Sequence, residues 1–153
     1  MSVNADQAVQ AVRKSIVVGV PPEAAWSTYT ERIGEWWPLA TYSIHGERAR
    51  TALFEGGQGG RLYERTASGE EAHWAEILAW EPPSRLVLLW QVNPDSPAPT
   101  EIEIRFPPEG DGTRVELEHR GWERLGDAAE GARAHYESGW DTLLEPYGEA
   151  ATR

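Results

Sequence analysis

The chain has 153 residues, 40% hydrophobic and 25% charged, with eight Trp, no Cys and a formal net charge of −11 at pH 7. Such a length suits a single domain, expected to span residues 1–153, while the acidic balance argues against a nucleic-acid partner and against adsorption to anionic membranes. Without Cys there is no disulfide, thiol nucleophile or cysteine metal site; no apolar run is long enough to span a membrane, and the N-terminus MSVNADQAVQAVRKS lacks a signal-peptide core, which makes the cytoplasm the expected compartment.

VRKSIVVGV (12–20) alternates around Ile16, Val18 and Val20 and predicts a first strand. In PPEAAWSTYTERIGEWW, Pro22 suits a helix start, and Ala25, Trp26, Tyr29 and Ile33 recur at helical spacing. Pro38 is expected to end a second short helix. ARTALFE and RLYERT, joined by GGQGG, read as a hairpin. AHWAEILAW and RLVLLWQV follow, the first with ambiguous facing because Ile77 and Trp80 differ in parity. NPDSPAP then leads to TEIEIRF and TRVELEHRG, joined by the turn PPEGDG. In these last strands Ile102, Ile104 and Phe106 share one face, as do Val115, Leu117 and His119, with Glu and Arg opposite, the pattern of an antiparallel sheet covered on one side. The cover is AEGARAHYESGWDTLLEPYGEA, whose Tyr136, Trp140, Leu143, Leu144 and Tyr147 form a helical stripe, with Pro146 expected to kink or fray its end. The fold class is therefore α+β: a curved antiparallel sheet gripping a long C-terminal helix, with two short helices after the first strand.

This order, with VPPEAAW after the first strand, WWP after the first helices, then GGRLYE, ILAWEPPSRLVLLW, HRGWERLG and GWDTLLEPY, resembles the START-like or SRPBCC superfamily, the helix-grip fold. Its branch of homologs of the activator of the heat-shock-chaperone ATPase is the most similar. The resemblance implies binding of apolar small molecules between sheet and helix, with cyclisation or hydrolysis in some members. The branch name implies chaperone activation, but the activator itself carries a separate N-terminal domain for which this chain has no room, so a chaperone partner is not expected.

Against that background the candidate residues divide into walls and anchors. Trp36 and Trp37 sit about 100° apart on a helix and, with Phe54 and Tyr42, are read as the lining of a pocket mouth. Trp74, Trp90, Tyr136 and Trp140 are read as facing each other across the gap between sheet and helix, and Gly139 as leaving space there; ordinary core packing is the competing reading. Glu64 follows Leu62 inward by alternation, and His119 follows Leu117. Each is then either a polar anchor or general base, or a hydrogen-bonded structural group; Arg61 or Arg65 could also satisfy Glu64 at the sheet edge. GGQGG opens a strand rather than a helix, which excludes a P-loop. The four His form neither an i, i+4 helical pair nor an H-x-H pair, so neither a metal nor a cofactor is expected. The favoured function is binding of a hydrophobic small molecule; an enzyme using Glu64 or His119 and a chaperone-ATPase activator are the alternatives, and the oligomeric state is open between monomer and homodimer.

Overall fold

The computed structural model describes residues 10–93 and 95–152; residues 1–9 of the stretch read for an export signal, and Pro94 of NPDSPAP, lie outside the described residues. Strand β1 (Val12–Val18) leads through Pro21 into α1 (Pro22–Thr30), whose first turn closes with Ala24 and Ala25 N–H groups donating to the Pro21 carbonyl at 3.0 Å. The helix buries Trp26 and Tyr29 as its spacing predicts, and also Thr28 and Thr30, whose hydroxyls donate to the carbonyls of Ala24 and Trp26 four residues back. The short α2 (Ile33–Trp36) stops where Trp37, preceding Pro38, turns extended at φ −67° and ψ 129°.

Strands β2 (Ala49–Glu55), β3 (Arg61–Thr66), β4 (Glu71–Glu81), β5 (Arg85–Trp90), β6 (Thr100–Arg105), β7 (Pro108–Glu109) and β8 (Gly112–Arg120) follow, and the sheet order is β1-β8-β6-β5-β4-β3-β2, antiparallel throughout. The two-residue β7, read from sequence only as a turn, pairs with β8. The sheet curls into a half-barrel around α3 (Ala129–Ala151), which enters through a 3-10 segment, Trp122–Ala128.

Two departures from alternation aim the site residues. The β4 register passes over Trp74 against β3 and over Leu78 against β5. Such bulges reset the two-residue period, so Trp74, Ile77 and Trp80 all turn to the core despite their differing parity. Pro146 neither ends nor frays α3, which continues to Ala151. The last turns are held instead by tertiary contacts: Tyr147 is buried against Tyr29 and Trp36 and donates its hydroxyl to the Ala25 carbonyl at 2.8 Å.

On the outer face the alternating Glu and Arg residues form ladders. Glu103 of β6 takes Arg85 at 2.8 Å, and Arg105 and Arg120 at 2.6 Å each. Burial pushes its carboxyl up, but the hydrogen bonds from Arg120 and Arg85 and the charge of Arg105 outweigh this and hold it at about 2.

An indole-walled cleft between sheet and helix

A cleft of about 260 Å³ opens between the sheet, α3 and the connection after α2. The sheet contributes Trp74 and Trp90, and α3 contributes Tyr136, Gly139, Trp140 and Leu143. Trp37 and the segment Thr41–Ile44 close the third side. Trp37 is the hub of the aromatic wall, with ring centroids 5.0 Å from Trp74, 6.2 Å from Trp90 and 6.1 Å from Trp140. These are the tilted and edge-to-face spacings that aromatic quadrupoles favour.

Each of these indoles has its N–H committed to the protein. Trp37 donates to the Tyr42 carbonyl at 2.7 Å and Trp74 to Glu64 Oε1 at 2.6 Å; Trp90 donates to Tyr136 Oη and Trp140 to His119 Nδ1, both at 3.0 Å. An indole has one donor and no acceptor, so these rings offer the cleft only carbon and π surface. Among the described residues no Asp, Glu, Lys or Arg lines it, and its titratable members are Tyr42, Tyr136 and the exposed His135. Ile44, 49% exposed, adds apolar surface to the wall.

Glu64 and His119 lie behind the wall, not on it. Glu64 is fully buried and receives the Ile44 N–H and Trp74 Nε1–H on one oxygen, each at 2.6 Å, and the His45 N–H and His45 Nδ1 on the other, each at 2.8 Å. Burial pushes its carboxyl up, but the Ile44, Trp74 and His45 hydrogen bonds prevail and hold the pKa below the usual carboxylate range. Arg61 and Arg65 serve Glu55 and Glu71 instead. Glu64 thus braces the cleft: it clamps the connection that forms one side and the indole that forms another.

His119, also fully buried, is spent on both nitrogens. Its Nδ1 accepts from Trp140, which places the proton on Nε2, where it donates to Thr100 Oγ1 at 2.7 Å. Burial drives its pKa down to about 3, so the ring is neutral. Neither group retains a free lone pair with which to take a proton from a molecule in the cleft.

Two further candidates lie elsewhere. Trp36 is packed on Tyr29 and Tyr147 with its N–H on the Thr28 carbonyl at 2.8 Å, because consecutive helical residues diverge and α3 takes this side. Phe54 rests on Trp80, which in turn meets Trp26 at 5.0 Å, an aromatic cluster separate from the cleft. Conversely, Ser43, Ile44 and Val92 line the cleft without having been singled out from sequence. The segment 41–46 carries no periodicity from which to infer a face.

A second cleft, of about 280 Å³, lies beyond Trp90 and Tyr136. It is bounded by Asn93, Ser96–Thr100, Trp122 and Leu125, and shares Trp90, Val92 and Tyr136 with the first. Among the described residues no group of three or more His, Cys, Asp or Glu is placed to hold a metal, and no helix is long and apolar enough to cross a membrane.

The family model described as Activator of Hsp90 ATPase homolog 1-like protein matches residues 19–146. The chain belongs to that family. The Hsp90 ATPase activator homologs share a helix-grip fold whose members bind hydrophobic ligands. Among solved structures, an anthrahydroquino-gamma-pyrone synthase, Txn09, complexed with SUM, is 32% identical with a TM-score of 0.59, over 93% of this chain and 97% of that one. The self-sacrificing resistance protein CalC from Micromonospora echinospora is 27% identical with a TM-score of 0.70, over 94% and 95%. The Aha1 dimer from Colwellia psychrerythraea, at 18% identity and a TM-score of 0.65 over 92% and 95%, shares the fold. No protein of curated function matches the sequence.

Proposed function

We propose that the protein binds an uncharged, planar aromatic molecule in the cleft walled by Trp37, Trp74, Trp90, Tyr136 and Trp140. The observation that carries this reading is the commitment of the indole N–H groups to protein acceptors in a cleft lined, among the described residues, by no carboxylate, Lys or Arg, which makes stacking and apolar burial the main binding forces. Similarity to an anthrahydroquino-gamma-pyrone synthase supports a fused-ring substrate class. Native mass spectrometry of freshly purified protein, followed by titration with neutral polycyclic aromatics read by Trp emission, tests it. A retained aromatic mass or saturable quenching is expected; no retained mass and no saturation up to the solubility limit refutes it.

The 32% identity to a synthase favours a second reading, a cyclase-like enzyme. In that reading Glu64 and His119 shape the cleft rather than exchange protons, and catalysis rests on holding a flexible precursor in a reactive fold. Turnover of such a precursor, unchanged in pH dependence by His119→Gln, is the expected signature. The same proposal takes the protein as cytoplasmic, without a chaperone partner. It leaves the homodimer to be read by sedimentation, since a protein of similar fold is a dimer.

A further inference from the structure

Tyr136 stands in the wall common to both clefts, beside Trp90. Its hydroxyl oxygen accepts the Trp90 indole N–H at 3.0 Å, and its own proton meets no acceptor among the described residues. A phenol can donate and accept, whereas an indole N–H can only donate; Trp90 therefore fixes the role left to Tyr136 as donor. Burial pushes the phenol pKa up, against the smaller opposing effect of the Trp90 hydrogen bond, so the proton is retained. The other hydroxyls of the first cleft, on Thr41, Tyr42 and Ser43, come from the connection after α2.

We propose that Tyr136 is the specificity-determining donor of this site, selecting neutral fused-ring aromatics that carry a carbonyl oxygen, of ketone, quinone or pyrone type, at the junction of the two clefts. The inference rests on the indole-walled cleft being the ligand site. The ring system stacks among Trp37, Trp74 and Trp140, and the carbonyl takes the Tyr136 proton while Trp90 holds the phenol in place. Removing water from both partners makes a ligand without the oxygen less favoured, because the buried hydroxyl is then left with an unused proton.

The test uses 9-fluorenone and fluorene, which have nearly the same shape and differ in one carbonyl, in equilibrium dialysis with chromatographic quantification. The wild-type protein is expected to prefer fluorenone by about three- to tenfold, the worth of one neutral hydrogen bond. In Tyr136→Phe the fluorenone affinity falls to about that of fluorene in the same variant, and a cooperative thermal melt reports that the variant folds. A preference that survives in Tyr136→Phe, or equal wild-type binding of both probes, overturns the role of Tyr136 and leaves the cleft reading standing. Binding of neither probe overturns the cleft reading and this one with it.

Discussion

Gly139 lies well inside α3 and lines the cleft, and a Cβ built on it meets no other heavy atom within 4 Å. Gly in a helix interior costs about 0.5–1 kcal/mol relative to Ala. Gly139→Ala is therefore expected to stabilise the fold by about that amount, a rise in Tm of about 1–4 °C for a chain of this size. Gly139→Leu should keep most of the propensity gain, since its isobutyl group grows into open space, but it occupies part of a cleft of only about 260 Å³. Binding of a planar aromatic is then expected to weaken by about tenfold or more, the cost of displacing a ring from stacking contact. Gly131 is the control: it also lies in α3 with nothing within 4 Å of an added Cβ, but it lines neither cleft. Gly131→Ala should stabilise without touching affinity. Thermal melts and Trp-fluorescence titrations of the three variants decide the matter. Marked destabilisation by Gly139→Leu would show that the space is not there, and unchanged affinity would show that the ligand sits elsewhere.

Three other outcomes follow from the buried groups and the wall. With His119 held at about 3 against an ordinary value of 6.5, the unfolded chain binds more protons than the native one between those values, so stability is complete above the upper value and falls as pH drops below it. The loss is about 2 kcal/mol between pH 7.5 and 5, and denaturant melts of His119→Gln should lack that component of the slope. Glu64→Gln turns an acceptor toward a donor among four converging N–H groups; a stability loss of about 2–3 kcal/mol and faster hydrogen exchange at the Ile44 and His45 amides are expected, and unchanged exchange would remove Glu64 as the clamp of that connection. Trp37→Leu should weaken aromatic binding by about tenfold, whereas Phe54→Leu, in the separate Trp26–Trp80 cluster, leaves affinity unchanged in the same titration.

What the sequence alone determined is the set of local periods. Alternation in TEIEIRF and TRVELEHRG, the aromatic stripe of α3 and the proline stops mark the strands, the gripped helix and the end of α2, because each depends on neighbours one or two turns away. Alternation also carried Glu64 and His119 to the buried face. Tertiary structure decided what those groups do there. The donors on Glu64 come from 20, 19 and 10 residues away, and His119 is neutral because packing buries it, with Trp140, 21 residues on, donating to its Nδ1. Neither fact has a local signal. The same holds for the two bulges of β4, which reconcile Trp74, Ile77 and Trp80 only once the pairing with β3 and β5 is known. It holds equally for Trp36 and Trp37: their divergence is dictated by helix geometry, but which indole meets Tyr147 and which meets the cleft depends on where α3 lies. Periodicity assigns a residue to a face, and only packing assigns that face a neighbour.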